Sequence, residues 1–474
     1  MSELASRALC WIRRDLRLHD HAALALACDR AREVVVVFVY DTVILDALPS
    51  RSDRRLTFIH RSLEEVDQNL AEHGSRLVTV IGDPIEEIPQ LAEMLGADLV
   101  VASHDDEAYA LTRDAEVARR LSTTDRRFET VKDHVVLERT EVLNNSGEPF
   151  RVFTPYSRKW WEIVTPADFA ERTPNLVQLA RADALKDVAL GNKTMAEVGF
   201  TDTDLWLTPG AKGGQERLNN FLTKIARYGE DRDIPGIEGT SGLSVHLRFG
   251  TVSIRECFRA AMTSETAGSR KWQTELIWRE FYQMILAQFP HVGQGKAFKP
   301  DTDAIHWPGT DEHFHAWCEG RTGYPIVDAA MRCFNATGWM HNRLRMVVAM
   351  FLTKDLLVDW RRGEAYFADL LLDFDLASNN GGWQWSASTG VDAQPYFRIF
   401  NPILQSRKFD SEGKFIREWC PELRDLDNKQ IHWPFSDDGA RTLETPSDYP
   451  NPIVLHFEQR EKAMALFQAA ESGR

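Results

Sequence analysis

The chain has 474 residues, of which 27% are charged and 43% hydrophobic, which is typical of a globular protein too long for one ordinary core. No apolar run reaches the roughly 18 residues of a membrane span, and the N-terminus lacks the apolar segment of a signal peptide. The six cysteines are scattered without CxxC spacing, which is typical of a reduced protein. We therefore expect a cytoplasmic protein that does not enter membranes.

The net charge of the whole chain, −15, argues against nucleic-acid binding, but this charge is unevenly distributed along the sequence. Residues 1–150 carry 18 Lys and Arg against 28 Asp and Glu, so the acidity is concentrated at the front of the chain. Basic clusters follow at 341–345, 360–363 and 406–408. Such clusters can hold phosphates or can be solvated helix faces.

Residues 1–135 alternate short β-rich apolar runs with amphipathic segments. The runs lie at 8–13, 34–40, 76–82, 98–103 and 128–131. Strands that alternate with helices predict a doubly wound parallel sheet, and hence an α/β domain. No GxGxxG or GxxxxGK[ST] motif follows any of these strands, so neither a nicotinamide enzyme nor a P-loop enzyme is indicated.

Residues 136–205 read as an interdomain linker, because they combine an NNSGEP turn, three spaced prolines and a polar TDTD stretch. From 206 to 474 the patterns are helical. The sequence thus predicts a second, large all-α domain.

Residues 272–289 show helical periodicity with two distinct faces. One face is mostly apolar and predicts core, whereas the other carries Glu275, Trp278, Arg279 and Tyr282. Large aromatics beside an acid and a guanidinium suit a flat polar ligand such as a base. A helix at a domain interface would show the same pattern.

Residues 324–360 predict two helices, with Pro325 beginning the first and Gly338 ending it. The second places Asn342, Arg345 and Met346 on one face, where an amide beside a thioether could read a pyrimidine. The alternative is that Asn342 caps the helix and that Met346 belongs to the hydrophobic core.

Two further segments have glycine-rich turns beside polar or aromatic side chains. GIEGTSGLS (236–244) could bind phosphate through backbone N–H groups, or could be an ordinary turn. Residues 360–385 contain Trp360, Trp383 and Trp385 next to an NNGG turn. This combination favours a planar redox cofactor, an electron path or a base-stacking platform, and a tryptophan-rich core is the alternative.

Metal ligation is not indicated. His104 is followed by two consecutive acids rather than by ligands at helical spacing, and no second histidine lies nearby. We predict no metal site.

These segments together resemble the photolyase/cryptochrome flavoprotein family, and most closely its bacterial class I enzymes that act on cyclobutane pyrimidine dimers. The resemblance covers nearly the whole chain. It is carried by WIRRDLRLHD (11–20), EGTSGLS (238–244), TELIWREFY (274–282), TGYPIVDAAMR (322–332), TGWMHNRLRM (337–346), FLTKDLLVDWRRGE (351–364), NNGGWQWSASTG (379–390) and YFRIFNP (396–402).

The resemblance implies FAD, active in its reduced form and held by the helical domain. Its phosphates and ribitol would lie against Tyr228, Thr240, Ser241, Gly242, Leu243 and Ser244. Asp373, paired with Arg345, and Asp375 would flank the adenine–isoalloxazine side, and Asn379 would face N5. The remaining cofactor contacts would be Trp272 and Phe374.

The resemblance also implies light-driven splitting of pyrimidine dimers in ultraviolet-damaged DNA by electron transfer to a flipped-out dimer. Catalysis would involve Glu275 and Asn342 at the dimer, with Trp383, Trp360 and Trp307 relaying electrons from flavin to surface. Contacts to the lesion and the DNA would come from Arg232, Glu275, Trp278, Arg279, Tyr282, Asn342, Arg343, Met346, Trp385 and Gln405.

The second, antenna chromophore is left open by one departure from the family pattern. Folate-binding relatives have Asn-Glu where this chain has Tyr109 and Ala110, so a deazaflavin is favoured over methenyltetrahydrofolate. A cryptochrome-type photoreceptor and a (6-4) photolyase are the alternative functions. We expect a monomer.

Overall fold

The computed structural model describes residues 4–185, 193–393 and 395–472, which fall into two compact units. The first unit comprises the residues up to 148, 157–226 and 241–287. The second comprises 149–156, 227–240 and the residues from 288 onward. Among the described residues no helix is long and apolar enough to cross a membrane.

A five-stranded parallel sheet forms the centre of the first unit, in the order β3-β2-β1-β4-β5. Its strands are β1 (Ala5–Trp11), β2 (Ala31–Asp41), β3 (Val78–Gly82), β4 (Leu99–Ser103) and β5 (Arg127–Val131). Residues 34–39 are buried without interruption, as expected for a strand covered on both faces. The predicted doubly wound α/β fold is confirmed.

Among the described residues twelve α-helices precede residue 289 and include those that cover the sheet. They are α1 (Ala22–Arg30), α2 (Thr42–Asp46), α3 (Arg54–Glu72), α4 (Pro84–Met94), α5 (Ala108–Ser122), α6 (Phe153–Ile163), α7 (Met195–Val198), α8 (Gly210–Leu222), α9 (Tyr228–Asp231), α10 (Ser244–Phe249), α11 (Ile254–Met262) and α12 (Ala267–Gln288). Asp53 and Asp83 cap α3 and α4 by accepting backbone N–H bonds.

The segment predicted as a linker contains more structure than its composition indicated. Helix α6 lies inside it, and Pro155 is tolerated because it falls in the first turn, where backbone N–H groups have no intrahelical partner. Tyr156 and Trp160 are fully buried, which stabilises this helix through packing. Residues 186–192 of the predicted linker lie outside the described residues.

A buried ion network joins α11 to the sheet within the first unit. The Arg255 guanidinium binds Asp20 and Asp133 at 2.9 Å each, and Arg17 binds Asp133 at 2.8 Å. These side chains are at most 3% exposed. Helices beyond residue 206 therefore pack in the same unit as the sheet, while domain boundaries at 135 and 205 stay predictions.

The second unit is helical, as the sequence predicted. Its later helices are α13 (Asp311–Glu319), α14 (Pro325–Thr337), α15 (Asn342–Met350), α16 (Trp360–Leu370), α17 (Leu376–Ala387), α18 (Pro402–Phe409), α19 (Lys414–Trp419) and α20 (His456–Ser472). A π-helical turn, Phe351–Asp355, follows α15 directly. The core of this unit is formed mainly by α14–α17, and Gly338 ends α14 with φ = 68°.

Candidate cofactor and DNA site

Helix α17 presents a polar side chain beside open space in the second unit. Asn379 is 8% exposed, and its Nδ2 donates to the backbone oxygen of Glu364 at 3.2 Å. One turn later, a Cβ added at Gly382 would meet no described atom within 4 Å. A flat group could therefore lie against the α17 backbone at Gly382, beside the Asn379 amide.

Two acids precede α17 and are held in place differently. Asp373 accepts two hydrogen bonds from Arg345 Nη2, at 2.8 and 3.1 Å, and its side chain is 2% exposed. Asp375 caps α17 by accepting from Ser378 N at 3.0 Å. The predicted pairing of Arg345 with Asp373 is present, and Phe374 between the acids packs against the hydrophobic core.

A buried amide chain lies behind Asn379 and was not anticipated from the sequence. Asn380 Nδ2 donates to Glu364 Oε1 at 2.8 Å, and Gln384 Nε2 donates to Asn380 Oδ1 at 2.9 Å. Burial raises the pKa of the Glu364 carboxyl to about 7. This carboxyl binds Asn380, and the backbone oxygen of the same Glu364 accepts from Asn379, the candidate flavin contact. The contact joins Glu364 on α16 to Asn380 on α17. Periodicity in a single sequence describes one helix at a time, so it does not reveal a contact between two helices.

The three tryptophans proposed as a relay differ in burial. Trp383 is 3% exposed, Trp360 is fully buried and Trp307 is half-buried. Gly363 allows the Trp383 indole to approach α16, because a Cβ there would lie 2.2 Å from Trp383 Cη2. Trp317, which the sequence reasoning missed, is buried with its ring centroid 6.0 Å from that of Trp383.

The N-terminus of α15 is a polar surface of the second unit. Asn342 is exposed in the first turn, and its Nδ2 lies 3.9 Å from Met346 Sδ, one turn later. The residue that caps this helix is His341, whose Nδ1 accepts from Arg343 N at 3.1 Å, so the alternative of Asn342 as a cap was wrong. Burial lowers the pKa of His341 to about 4, which keeps its ring neutral.

Arg343 belongs to a basic cluster beside α18. Its Nη2 binds Asp233 at 3.0 Å, and its guanidinium carbon lies 4.3 Å from the Phe409 ring centroid. Arg232 lies 3.8 Å from the same Asp233, with its guanidinium 5.4 Å from the Tyr228 ring. One carboxylate thus orders two guanidinium groups. Of the other predicted contacts in this unit, Trp385 and Gln405 are half-buried, on α17 and α18.

In the first unit, the polar face of α12 is as predicted from its periodicity. Glu275, Trp278, Arg279 and Tyr282 are all half-buried, whereas Ile277, Phe281, Met284 and Ile285 are buried. The rings of Trp278 and Tyr282 lie 5.7 Å apart, and Glu275 pairs with Lys271 at 3.2 Å.

Arg279 differs from its neighbours on that face. Its Nη1 donates to the backbone oxygen of His134, so part of its guanidinium holds a loop of the first unit. Glu280, one residue on, is fully buried and accepts from Val136 N and from Trp160 Nε1. These two side chains of α12 fix the loop that follows β5.

The predicted phosphate loop is divided between the units: residues 236–240 belong to the second unit, whereas residues 241–244 and Trp272 belong to the first. Residues 241–243 form a loop before α10, which begins at Ser244, and Gly242 has φ = 61°, a conformation that favours glycine. Trp272 is 3% exposed and packs edge-on against Phe221 at 4.8 Å.

The acidic and histidine residues after β4 are engaged with partners. His104 Nδ1 lies 2.8 Å from Glu138 Oε1, Arg14 binds Asp105 at 3.3 Å, and Arg139 binds Asp106 at 2.8 Å. Within the described ranges no group of three His, Cys, Asp or Glu side chains is arranged to hold a metal ion.

Known families match both parts of this chain. Residues 8–176 match the family model described as DNA photolyase, and residues 272–469 match the FAD binding domain of DNA photolyase. The deoxyribodipyrimidine photo-lyase of Escherichia coli is 39% identical over 480 residues, covering 98% of this chain and 99% of that protein. The enzyme of the same name from Synechococcus sp. is 38% identical, with 98% and 97% covered.

Solved structures agree with these matches. A bacterial class III photolyase from Agrobacterium tumefaciens has a TM-score of 0.88 at 34% identity, covering 100% of this chain and 99% of that one. An archaeal photolyase from Sulfolobus tokodaii, solved with two FAD molecules, has a TM-score of 0.84 at 32% identity, covering 98% and 100%. This chain belongs to the DNA photolyase family.

Proposed function

We propose that this protein is a deoxyribodipyrimidine photo-lyase, which uses light to split cyclobutane pyrimidine dimers in DNA. The observation that carries the proposal is the α17 face, where a buried Asn379 amide adjoins the open space at Gly382. The full-length similarity to relatives of that name supports it. The residues present fit FAD, because the Asn379 amide, the Arg345–Asp373 pair and the capping Asp375 offer hydrogen-bonding groups of the kind that a dinucleotide can bind.

When bound, reduced FAD supplies the light-excited electron donor. Around it, Asn379 offers a neutral amide, which can hydrogen-bond N5 without adding negative charge. Arg345 and Asp373 form an ion pair at 2.8 Å, so together they add polar groups to the site but no net charge. The remaining contacts proposed for this cofactor are Tyr228, Thr240, Ser241, Gly242, Leu243, Ser244, Trp272 and Phe374.

The dimer would be held by side chains that combine apolar area with hydrogen-bonding groups. In the second unit these are Asn342, Met346 and Trp385, and on α12 they are Glu275, Trp278 and Tyr282. Indoles give stacking area worth about 1–3 kcal/mol per base. Asn342 and Glu275 would contact the carbonyl and N–H edges of the dimer, where charge develops during splitting.

DNA phosphates would be bound by Arg232 and Arg343, with Gln405 nearby and Arg279 contributing from α12. Asp233 orders both arginines before DNA arrives, which reduces the side-chain entropy lost on binding. Specific affinity would then depend on salt, because each phosphate contact displaces counterions.

Trp383, Trp360 and Trp307 would carry electrons inward when the cofactor has been oxidised. The burial of the three indoles supports this route, since Trp383 and Trp360 are buried and Trp307 is partly open to an external reductant. The relay is needed for activation and not for splitting itself.

For the antenna we propose a deazaflavin rather than methenyltetrahydrofolate. Residue 110 is a buried alanine, and the Tyr109 hydroxyl donates to Asp41 at 2.8 Å, so the pair at these positions offers no free carboxylate to a pterin. We further propose that the protein is a monomer and that it is cytoplasmic, since six free cysteines are typical of a reducing compartment.

The test uses two synthetic oligonucleotides, one with a cyclobutane thymine dimer and one with a (6-4) photoproduct. Purified protein with reduced flavin is illuminated with blue light, and intact thymine is quantified by chromatography against dark samples. We expect recovery from the cyclobutane dimer alone. Recovery from neither lesion would contradict the proposal, and recovery from the (6-4) product alone would assign the protein to the other photolyase class.

A further inference from the structure

A buried lysine lies at the C-terminal end of α17. Lys354, in the π-helical turn Phe351–Asp355, is fully buried. Its Nζ lies 3.0 Å from Ser388 Oγ and 3.3 Å from the backbone oxygen of Ala387. Ser388 ends α17 in the left-handed conformation, with φ = 65°. The lysine therefore satisfies a carbonyl that the helix itself leaves without a partner.

The third donor of the same ammonium faces an aromatic ring. The Phe467 ring centroid lies 3.4 Å from Lys354 Nζ, and Phe467 belongs to α20. A buried ammonium needs three partners, and here two oxygens and one ring face provide them. Burial, together with the nearby Lys299 ammonium, lowers the pKa of Lys354, whereas these three contacts favour its protonated form.

Helix α20 makes a second contact with the same π-helical turn, besides the contact of Phe467 with Lys354. His456 Nδ1 lies 2.6 Å from Asp355 Oδ1, and Asp355, like Lys354, is fully buried. Phe467 also packs against Trp307, with ring centroids 5.9 Å apart, and stacks on Tyr396 at 5.8 Å. Two consecutive residues of the π-helical turn, Asp355 and Lys354, thus contact the first residue of α20 and a residue three turns later.

The last turn of α17 carries Trp385, two residues before the carbonyl that Lys354 binds. A cation at this end also interacts favourably with the helix dipole. We propose that Lys354, held by Phe467 of the C-terminal helix, is a positioning residue that fixes the last turn of α17 and thereby the orientation of Trp385. The importance of that orientation for lesion capture rests on the proposed function.

Hydrogen exchange tests the positioning directly in the flavin-loaded full-length protein. Lys354→Met keeps the length of the side chain and removes its donors, and Phe467→Leu keeps apolar volume and removes the ring face. We expect peptide 384–390 to exchange at least about tenfold faster in both, as for the loss of one charged hydrogen bond. In the Lys354→Met background, adding Phe467→Leu should change that rate less than about twofold, because the ring then has no cation to hold.

Phe457→Ala is the matched control, because it removes a phenylalanine of the same helix that is 59% exposed. Its α17 exchange should equal that of the wild type. A buried ammonium replaced by an apolar chain need not lower overall stability, so the expected change is local. Unchanged exchange at 384–390, or an equal acceleration in α14, would overturn the proposal.

DNA affinity separates this inference from the proposed function. Lys354→Met and Phe467→Leu should weaken binding to dimer-containing DNA several-fold and leave binding to undamaged DNA unchanged, since phosphate contacts do not involve α17. Equal loss on both DNAs would overturn the proposed effect on Trp385. A wild type that fails to prefer damaged DNA would instead contradict the proposed function, and the exchange experiment would still decide whether Lys354 positions α17.

Discussion

Gly363→Ala adds one methyl group where α16 meets the Trp383 indole. The new Cβ would lie 2.2 Å from Trp383 Cη2, 2.4 Å from Cζ3 and 2.6 Å from Leu352 Cδ2. The indole cannot retreat freely, because the rings of Phe367 and Trp317 lie 5.1 and 6.0 Å from it. Overpacking of this kind costs about 1–3 kcal/mol, and we place this site near the upper limit.

The higher helix propensity of alanine offsets part of this cost, but its free-energy contribution is smaller. Alanine is favoured over glycine inside a helix by about 0.5–1 kcal/mol. We therefore expect a net loss of about 2 kcal/mol in the free energy of unfolding, measured as a lower midpoint of urea unfolding. Light-driven reduction of the bound flavin should also slow, because Trp383 must move.

Gly382→Ala provides the matched comparison in α17. A Cβ there meets no described atom within 4 Å, so the flavin-free protein should gain up to about 1 kcal/mol from helix propensity. The same methyl group would enter the space assigned to the cofactor and should weaken flavin retention. An unfolding midpoint for Gly363→Ala equal to or above that of the wild type would refute the packing argument. Flavin bound by Gly382→Ala as tightly as by the wild type would refute the cofactor placement.

Three further outcomes are expected. Trp307→Phe should abolish light-driven flavin reduction by an external reductant but leave repair by pre-reduced protein intact. Trp385→Phe should leave flavin reduction intact but weaken dimer binding. If both activities fall in parallel in both variants, the two indoles serve mainly in packing. Arg343→Ala should lower the salt slope of DNA binding by about 0.9, and an unchanged slope would remove Arg343 from the phosphate contacts. Burial raises the pKa of Glu364 from 4.5 to about 7, so the stability that its protonated form contributes should be present below pH 4.5 and be lost as pH rises to about 7. Urea unfolding of Glu364→Gln should lack that pH dependence, and identical profiles would contradict the assignment.

Local periodicity was sufficient where one face of an element is apolar. The five strands were predicted because strands covered on both faces are continuous apolar runs, and the two faces of α12 because burial on one side imposes a period of 3.6 residues. The α6 helix was missed for the opposite reason. Pro155 within it and the prolines and turn residues that flank it indicate a loop, and the packing of Tyr156 and Trp160 overrides that local preference.

Pairs between distant segments were predicted only where the family resemblance supplied them. Arg345 with Asp373 is such a case, and the contact is present. The Lys354 and Phe467 pair is separated by more than a hundred residues, and a lysine inside FLTKD reads as a solvated charge. Single-sequence patterns report one element at a time, so buried charges that join elements become visible only in the fold. The roles of Asn379, Glu275 and the other site residues stay predictions.

Catalytic turnover in light tests the central claim most directly. The flavin-reduced protein is mixed with a large molar excess of DNA that contains cyclobutane thymine dimers, and lost dimers are counted per protein molecule under blue light. We predict many dimers lost per molecule, none in the dark, and the flavin spectrum unchanged at the end. Loss that stops at one dimer per protein, continues in darkness or never occurs would contradict light-driven catalysis by this chain.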